Sequence, residues 1–295
     1  MIAKFKPQKG KALDKLPKKT LAILDNTEYI VSTKFDGNQI FIVKEGSSIR
    51  FFTSDWKEFE LELVADEFKD CSHNFVLIGE FMHGCAGKLG DRVNSAILTT
   101  YRTNFAKGKA NIGLGQIGTN IQVFDCLTIY NGELMTQVPY KLRLQHANNI
   151  IRGRKYLTKI LYETMLGKDI PAYTQKLVSK GWEGTMAVET NSYYHVGKRV
   201  NHSIKFKYRP TADLLCQGIV PGEGKYDGMI GALILMDSKS RIVCVGSGLS
   251  DELRGYHEDY FIGEVIEIEY EQIIDTYIQP TFVAIRRDKY KSEID

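Results

Sequence analysis

The chain has 295 residues, of which 43% are hydrophobic and 25% charged, and it carries a formal net charge of +3. This length suits two modest domains better than one core, and the composition excludes disorder, collagen and coiled coil. No run of about 18 apolar residues is present to span a bilayer.

The first 20 residues hold seven lysines against one aspartate. They lack the apolar stretch of a secretory signal, so a cytoplasmic protein is expected, and such basic clusters attract phosphate backbones. Strands are predicted over 29–34 and 38–43, flanking a tight turn at Phe35-Asp36-Gly37, with another strand over 48–53. Residues 61–68 read as a helix with Leu61, Val64, Ala65 and Phe68 on one face. Near-continuous apolar runs over 75–81 and 121–130 read as buried strands. Between them lies a basic stretch with Arg92, Arg102, Lys107 and Lys109. It runs into Gly113-Leu114-Gly115-Gln116-Ile117-Gly118, which fits G-x-G-x-x-G. That fingerprint needs a preceding strand and a following helix, so residues 108–118 are expected to form a glycine-rich loop instead.

Helical spacing is read over 142–151, 156–164 and 172–180, then strands over 184–189 and 203–208. After Pro210 the texture changes to five strands with glycine-rich turns, over 214–220, 231–236, 241–246, 265–274 and 282–286. That pattern suits a small OB-type barrel. The expected domains are 1–209 and 210–295. The five cysteines (Cys71, Cys85, Cys126, Cys216, Cys244) lack zinc-ligand spacing and read as free buried thiols.

Four groups of residues carry chemistry. Lys34 ends a strand and precedes a sharp turn, which aims an amine into a cleft. A lysine amine is a poor nucleophile at neutral pH unless cations or desolvation depress its pKa. Lys205 and Lys207 alternate on one strand and share a face. They are candidates for that task, and an inward pair of lysines calls for an anion such as a triphosphate. Glu80 and Glu183 stand at strand ends and suit a ribose hydroxyl or a hard cation. Phe124 could stack on a purine. Taken singly, a plain turn, a buried glutamate–lysine pair and core packing explain the same residues.

Taken in order they are more specific. Lys34-Phe35-Asp36-Gly37, Ile78-Gly79-Glu80-Phe81, Val123-Phe124-Asp125, Glu183-Gly184-Thr185-Met186 and Lys205-Phe206-Lys207 resemble motifs I, III, IIIa, IV and V of the covalent nucleotidyltransferases. Gly224-Lys225-Tyr226-Asp227-Gly228, the stretch 245–252 and Arg286-Arg287-Asp288-Lys289 resemble the OB-domain signatures and motif VI of DNA ligases. The resemblance covers residues 29–289, and the minimal two-domain size resembles that of the ATP-dependent DNA ligases of bacteriophages and viruses.

The resemblance implies an α+β fold, with an adenylation domain of antiparallel sheets and flanking helices before a small OB-fold β-barrel. It implies an ATP-dependent DNA ligase that seals nicks through a lysyl-AMP and a DNA-adenylate, in replication and repair. Lys34 would carry AMP, and Ser32, Thr33, Lys34, Glu80, Phe124, Glu183, Lys205 and Lys207 would hold the nucleotide. Glu183 and Glu80 would place Mg2+, for which Mn2+ can substitute. Arg286, Asp288 and Lys289 would orient the leaving pyrophosphate. The implied partners are ATP and nicked duplex DNA, with a monomeric chain and no membrane. Lys107, Lys109 and the N-terminal lysines are expected to grip the DNA. An RNA ligase and a GTP-using capping enzyme share part of the pattern. Three positions depart from it: Ser32 where an acidic residue is usual, Gln39 where arginine is usual, and Phe52-Thr53-Ser54-Asp55 where a Ser-Arg pair is common.

Overall fold

The computed structural model describes residues 2–83, 93–109, 118–207, 209–273 and 275–295. They separate into two compact units, Met1–Tyr208 and Arg209–Asp295.

The strands of the first unit are β1 (Lys9–Ala12), β2 (Glu28–Thr33), β3 (Asn38–Glu45), β4 (Ser48–Thr53), β5 (Glu58–Phe59), β6 (Phe75–His83), β7 (Thr119–Tyr130), β8 (Glu133–Leu134), β9 (Leu157–Lys159), β10 (Tyr162–Leu166), β11 (Gly184–Glu189) and β12 (Arg199–Lys207). The helices are α1 (Lys18–Leu24), α2 (Glu62–Asp66), α3 (Val93–Ala106), α4 (Tyr140–Ile151) and α5 (Ile170–Val178). One sheet runs β1-β12-β11-β2-β10, and the other runs β5-β4-β3-β6-β7-β8 with β9 paired to β7.

Strand alternation sorts the side chains of the first sheet. Tyr29 and Val31 of β2, Ala187 of β11, and Ile204 and Phe206 of β12 pack together with Leu16, Leu24 and Ile170. Their neighbours Ser32, Met186, Val188, Ser203 and Lys205 take the opposite face. The second sheet is covered on one side by α2 and α4, with Leu61, Val64, Phe68, Ala147 and Ile151 in that core. The predicted face of the 61–68 segment is therefore buried, although the helix itself spans only Glu62–Asp66.

Several expectations are corrected. Residues 156–164 are not helical: Leu157 pairs with Ile121 of β7, and Tyr162 pairs with Ser32 of β2. Their apolar spacing fits either period, and pairing with two waiting sheet edges decides it. β6 does not stop at Glu80 but runs on to His83. Within the basic stretch between β6 and β7, where no helix was predicted, residues 93–106 form α3, and its Leu98 and Tyr101 join the second sheet's core. The glycine-rich loop expected over 108–118 lies mostly outside the described residues. The lysine-rich N-terminus, for which no element was predicted, supplies β1 and α1. Of the described cysteines, Cys126 and Cys216 are buried, Cys71 is half-buried and Cys244 is exposed.

The second unit contains β13 (Thr211–Pro221), β14 (Ile230–Met236), β15 (Ile242–Val245), β16 (Val265–Glu269), β17 (Gln272–Ile273), β18 (Tyr277–Ile278) and β19 (Thr281–Ile285), with the short helix α6 (Asp251–Arg254). The antiparallel order is β15-β14-β13-β16-β19. Phe282 N–H donates to the Ser247 carbonyl at 2.8 Å, which brings the two edges together as a barrel requires. The single strand expected over 265–274 is broken between Glu269 and Gln272. Ser250 caps α6 by accepting from Leu253 N–H at 3.2 Å. Arg254, buried, donates to the carbonyls of Ile230, Gly231 and Gly246.

Candidate active site

Both sheets of the first unit line a cavity of about 370 Å³. One wall comes from β2, β11 and β12, with Ser32, Thr33, Met186, Val188, Ser203 and Lys205. The facing wall brings Gln39 of β3, Ile78 and Glu80 of β6, and Phe124 of β7. Lys34 follows β2 and is held in place by its N–H, which donates to the Gly184 carbonyl at 2.9 Å.

The turn after Lys34 has a steric cause. A Cβ on Gly37 would lie 2.5 Å from Met82 Sδ and 2.6 Å from the Phe81 carbonyl oxygen, so only glycine fits against β6 here. The ring of Phe35 meets that of Trp182 edge-on at 5.8 Å, which ties the turn to the chain just before Glu183.

The Lys34 amine donates to Glu183 Oε2, and Lys207 Nζ lies 2.5 Å from Glu183 Oε1. One carboxylate thus bridges two lysines. Burial works against ionisation of Glu183, but Lys34 and Lys207 outweigh it and hold the carboxyl below its ordinary value. Glu80 behaves in the opposite way. Burial pushes its carboxyl up to about 7; Glu183 and Asp36 add to this, while Lys34 and the Gly37 N–H oppose it. Burial, with Lys34, Arg199 and Lys207 nearby, pulls the Lys205 ammonium below its ordinary value.

Of the expected nucleotide-holding residues, Ser32, Thr33, Lys34, Glu80, Phe124 and Lys205 line the cavity. Glu183 and Lys207 do not. They pair behind Lys34, so the expected inward pair of lysines is met only by Lys205. Lys207 ends β12 with a side chain 38% exposed, where the strand no longer confines it. Sequence reasoning missed Gln8, Lys9, Tyr140, Ile160, Tyr194 and Arg199. Arg199 had a weak signal: it lies six residues before Lys205 and shares its face once the strand is extended back from the predicted 203–208 to Arg199. Lys9 had none, since nothing local links the N-terminus to that strand. Asp125 also reaches the lining, but Arg143 takes both its oxygens at 2.8 and 3.0 Å.

The motif VI residues stand in the second unit. Arg286 pairs with Asp288 at 2.7 Å and Lys289 with Asp213 at 2.5 Å. Lys107 and Lys109 are exposed just beyond α3.

Two sheets enclosing a lysine-based cavity, followed in sequence by a small barrel, define a nucleotidyltransferase domain with an OB domain. Residues 1–207 match the family described as ATP dependent DNA ligase domain, and residues 221–286 match the DNA ligase OB-like domain. The chain belongs to the ATP-dependent DNA ligase family. It is 23% identical over 299 residues to DNA ligase 2 of Haloquadratum walsbyi, covering 90% of this chain and 47% of that protein. It is 24% identical over 274 residues to the DNA ligase of Nitrosopumilus maritimus, covering 85% and 45%. The chain thus spans about half the length of these curated relatives. In fold it resembles a Lig E DNA ligase, with a TM-score of 0.67, 16% identity, and coverage of 96% and 100%. It also resembles the bacteriophage T7 ATP-dependent DNA ligase solved with ATP, with a TM-score of 0.53, 16% identity, and coverage of 95% and 98%.

Proposed function

We propose that this chain seals nicked duplex DNA with ATP, through AMP carried on Lys34. The observation that carries the reading is the Lys34 amine, held by the buried Glu183 beside a nucleotide-sized cavity also lined by Glu80 and Lys205.

In this reading the purine lies between Phe124 of one sheet and Met186 and Val188 of the other, an aromatic face opposite aliphatic side chains. Ser32 and the adjoining Thr33 meet its polar edge, and Glu80 takes the ribose side. Lys34 attacks the α-phosphate and pyrophosphate leaves. The AMP then passes to the 5′-phosphate of the nick, and the 3′-hydroxyl displaces it. Each step is an in-line transfer, in which placement and charge neutralisation do most of the catalysis. Glu183 orients the amine, and Lys205 places positive charge against the phosphates.

Glu80 and Glu183 would supply the oxygen donors for Mg2+. Among the described residues no three or more His, Cys, Asp or Glu side chains cluster to hold a metal. That fits an ion which takes one or two carboxylates and completes its shell with water and phosphate oxygens. When bound, it neutralises phosphate charge. The chain works on DNA as a monomer in the cytoplasm; among the described residues no helix is long and apolar enough to cross a membrane.

The test is incubation with radiolabelled ATP or GTP, then with nicked DNA or nicked RNA. A labelled band with ATP, absent in Lys34→Ala, and sealing of the DNA nick are expected. Full ligation by Lys34→Ala would sink the reading.

A further inference from the structure

We propose that Trp182 is a positioning residue for lysyl-AMP formation. Its edge-on contact with Phe35 fixes the Glu183 carboxylate and so sets the direction in which the Lys34 amine points. The inference rests on the ligase reading above and adds a residue to it.

Lys34 and Glu183 stand where the pairing of β2 with β11 runs out. β2 ends at Thr33 and β11 begins at Gly184, so both charged residues lie just outside the strands. The register pairs Thr33 with Thr185, and the Lys34 N–H bond to the Gly184 carbonyl extends it by one rung. The end of a ladder frays unless side chains hold it. Trp182-Glu183 is also weakly held along its own chain. Gly181 and Gly184 flank the pair with φ of +88° and +148°, so its neighbours on both sides have no side chain to anchor it. Trp182 N–H donates to the Leu177 carbonyl at 3.3 Å, a long bond.

The two rings supply what the backbone lacks. Phe35 packs against Ile30, Tyr140, Leu144 and Ile160, which fixes its ring. Trp182, half-buried, meets that ring at 5.8 Å with the planes at 84°, the favoured T-shaped arrangement. The contact joins the residue after Lys34 to the residue before Glu183. With the bond from the Lys34 amine to Glu183 it closes a loop of four residues, two covalent links and two contacts. A lysine amine ends a flexible four-carbon stem, so its direction is set by the acceptor that holds it. Lys207, the other partner of Glu183, is 38% exposed and restrains the carboxylate less. In-line attack on the α-phosphorus needs that direction, and a misplacement of about 1 Å can cost about a hundredfold in rate.

The experiment compares the full chain carrying Trp182→Ala with Trp182→Leu, which keeps apolar bulk without a ring, and Trp182→Phe, which keeps a ring. Single-turnover lysyl-AMP formation is timed with labelled ATP over a range of ATP concentration. We expect the saturating rate to fall about tenfold in Trp182→Ala and Trp182→Leu, the rate equivalent of one aromatic pair, and to recover in Trp182→Phe. The ATP concentration giving half the maximal rate should stay within about twofold, because binding is untouched. The decisive measurement repeats Trp182→Ala in a Glu183→Ala background. With no carboxylate left to aim, the second change should cost nothing further, whereas a general structural role would cost the same in both backgrounds. An unchanged rate in Trp182→Ala and Trp182→Leu, a loss seen only as weaker ATP binding, or an equal loss in the two backgrounds would overturn the inference. If the unaltered chain forms no lysyl-AMP at all, the ligase reading itself fails, a result distinct from these.

Discussion

Two clusters of the first unit use the same ingredients, a carboxylate and its cations, to opposite ends. Arg143 on α4 grips Asp125 with two parallel hydrogen bonds and gives two further donors to the Val138 and Ser192 carbonyls. Its side chain is 1% exposed and that of Asp125 is 7% exposed. The cluster is closed: every charge has a partner, and nothing is left for a ligand. Glu183 is just as buried, yet its lysines Lys34 and Lys207 are 18% and 38% exposed and open towards solvent and the cavity. The difference teaches that burial of the carboxylate alone does not mark chemistry. What marks it is a buried carboxylate whose paired cations stay partly exposed.

The largest expected effect comes from breaking the closed cluster. Arg143→Met leaves Asp125 charged and unpaired in the interior and should cost about 3–5 kcal/mol of stability. Adding Asp125→Leu should restore much of it. The matching change in the open cluster, Glu183→Gln, should leave the denaturant midpoint close to that of the unaltered chain, because Lys34 and Lys207 can turn to water. It should lower the rate of lysyl-AMP formation about a hundredfold, as loss of a positioned charge does. Chemical denaturation and single-turnover labelling check both halves. An Arg143→Met variant as stable as the unaltered chain would erase the contrast.

A smaller effect separates the clusters by pH. Glu80, beside the open cluster, has its folded value raised to about 7. Its contribution to stability is present below its unfolded value and is lost as pH rises through 7. His202, near the closed cluster, is lowered to about 4 by burial, then by His195 and Arg143. Its contribution is present above the unfolded value and is lost as pH falls through 4. Over the pH range between, the two slopes oppose each other. In metal-free buffer, Glu80→Gln should therefore make the melting temperature rise more steeply with pH, and His202→Gln should make it rise less or fall. Parallel curves for all three proteins would contradict the assignment.

The smallest effect belongs to charges in neither cluster. Replacing the exposed Lys107 and Lys109 with alanine should reduce the slope of log affinity for nicked DNA against log salt by up to about 1.8, or about 0.9 per lost phosphate contact. Binding titrations over a range of salt concentration measure it, and an unchanged slope would remove these lysines from the DNA contact.

The sequence alone determined the lysine-centred group of candidate residues and the alternating cores. Lys34 before a glycine turn, Glu80 in an apolar strand and Lys205 on an alternating strand are local patterns, because strand period and turn chemistry act over a few residues. The same locality made most of the OB strands legible. Local pattern misread 156–164, where either period fits and pairing with β7 and β2 settles the conformation. Only the tertiary structure joined Lys9 to Arg199, since residues so far apart in sequence share a wall through sheet order. It alone separated Lys205, which faces the cavity, from Lys207, which turns to Glu183. It alone distinguished the closed carboxylate from the open one, because the partners of a charge are set by packing across elements rather than by spacing along the chain.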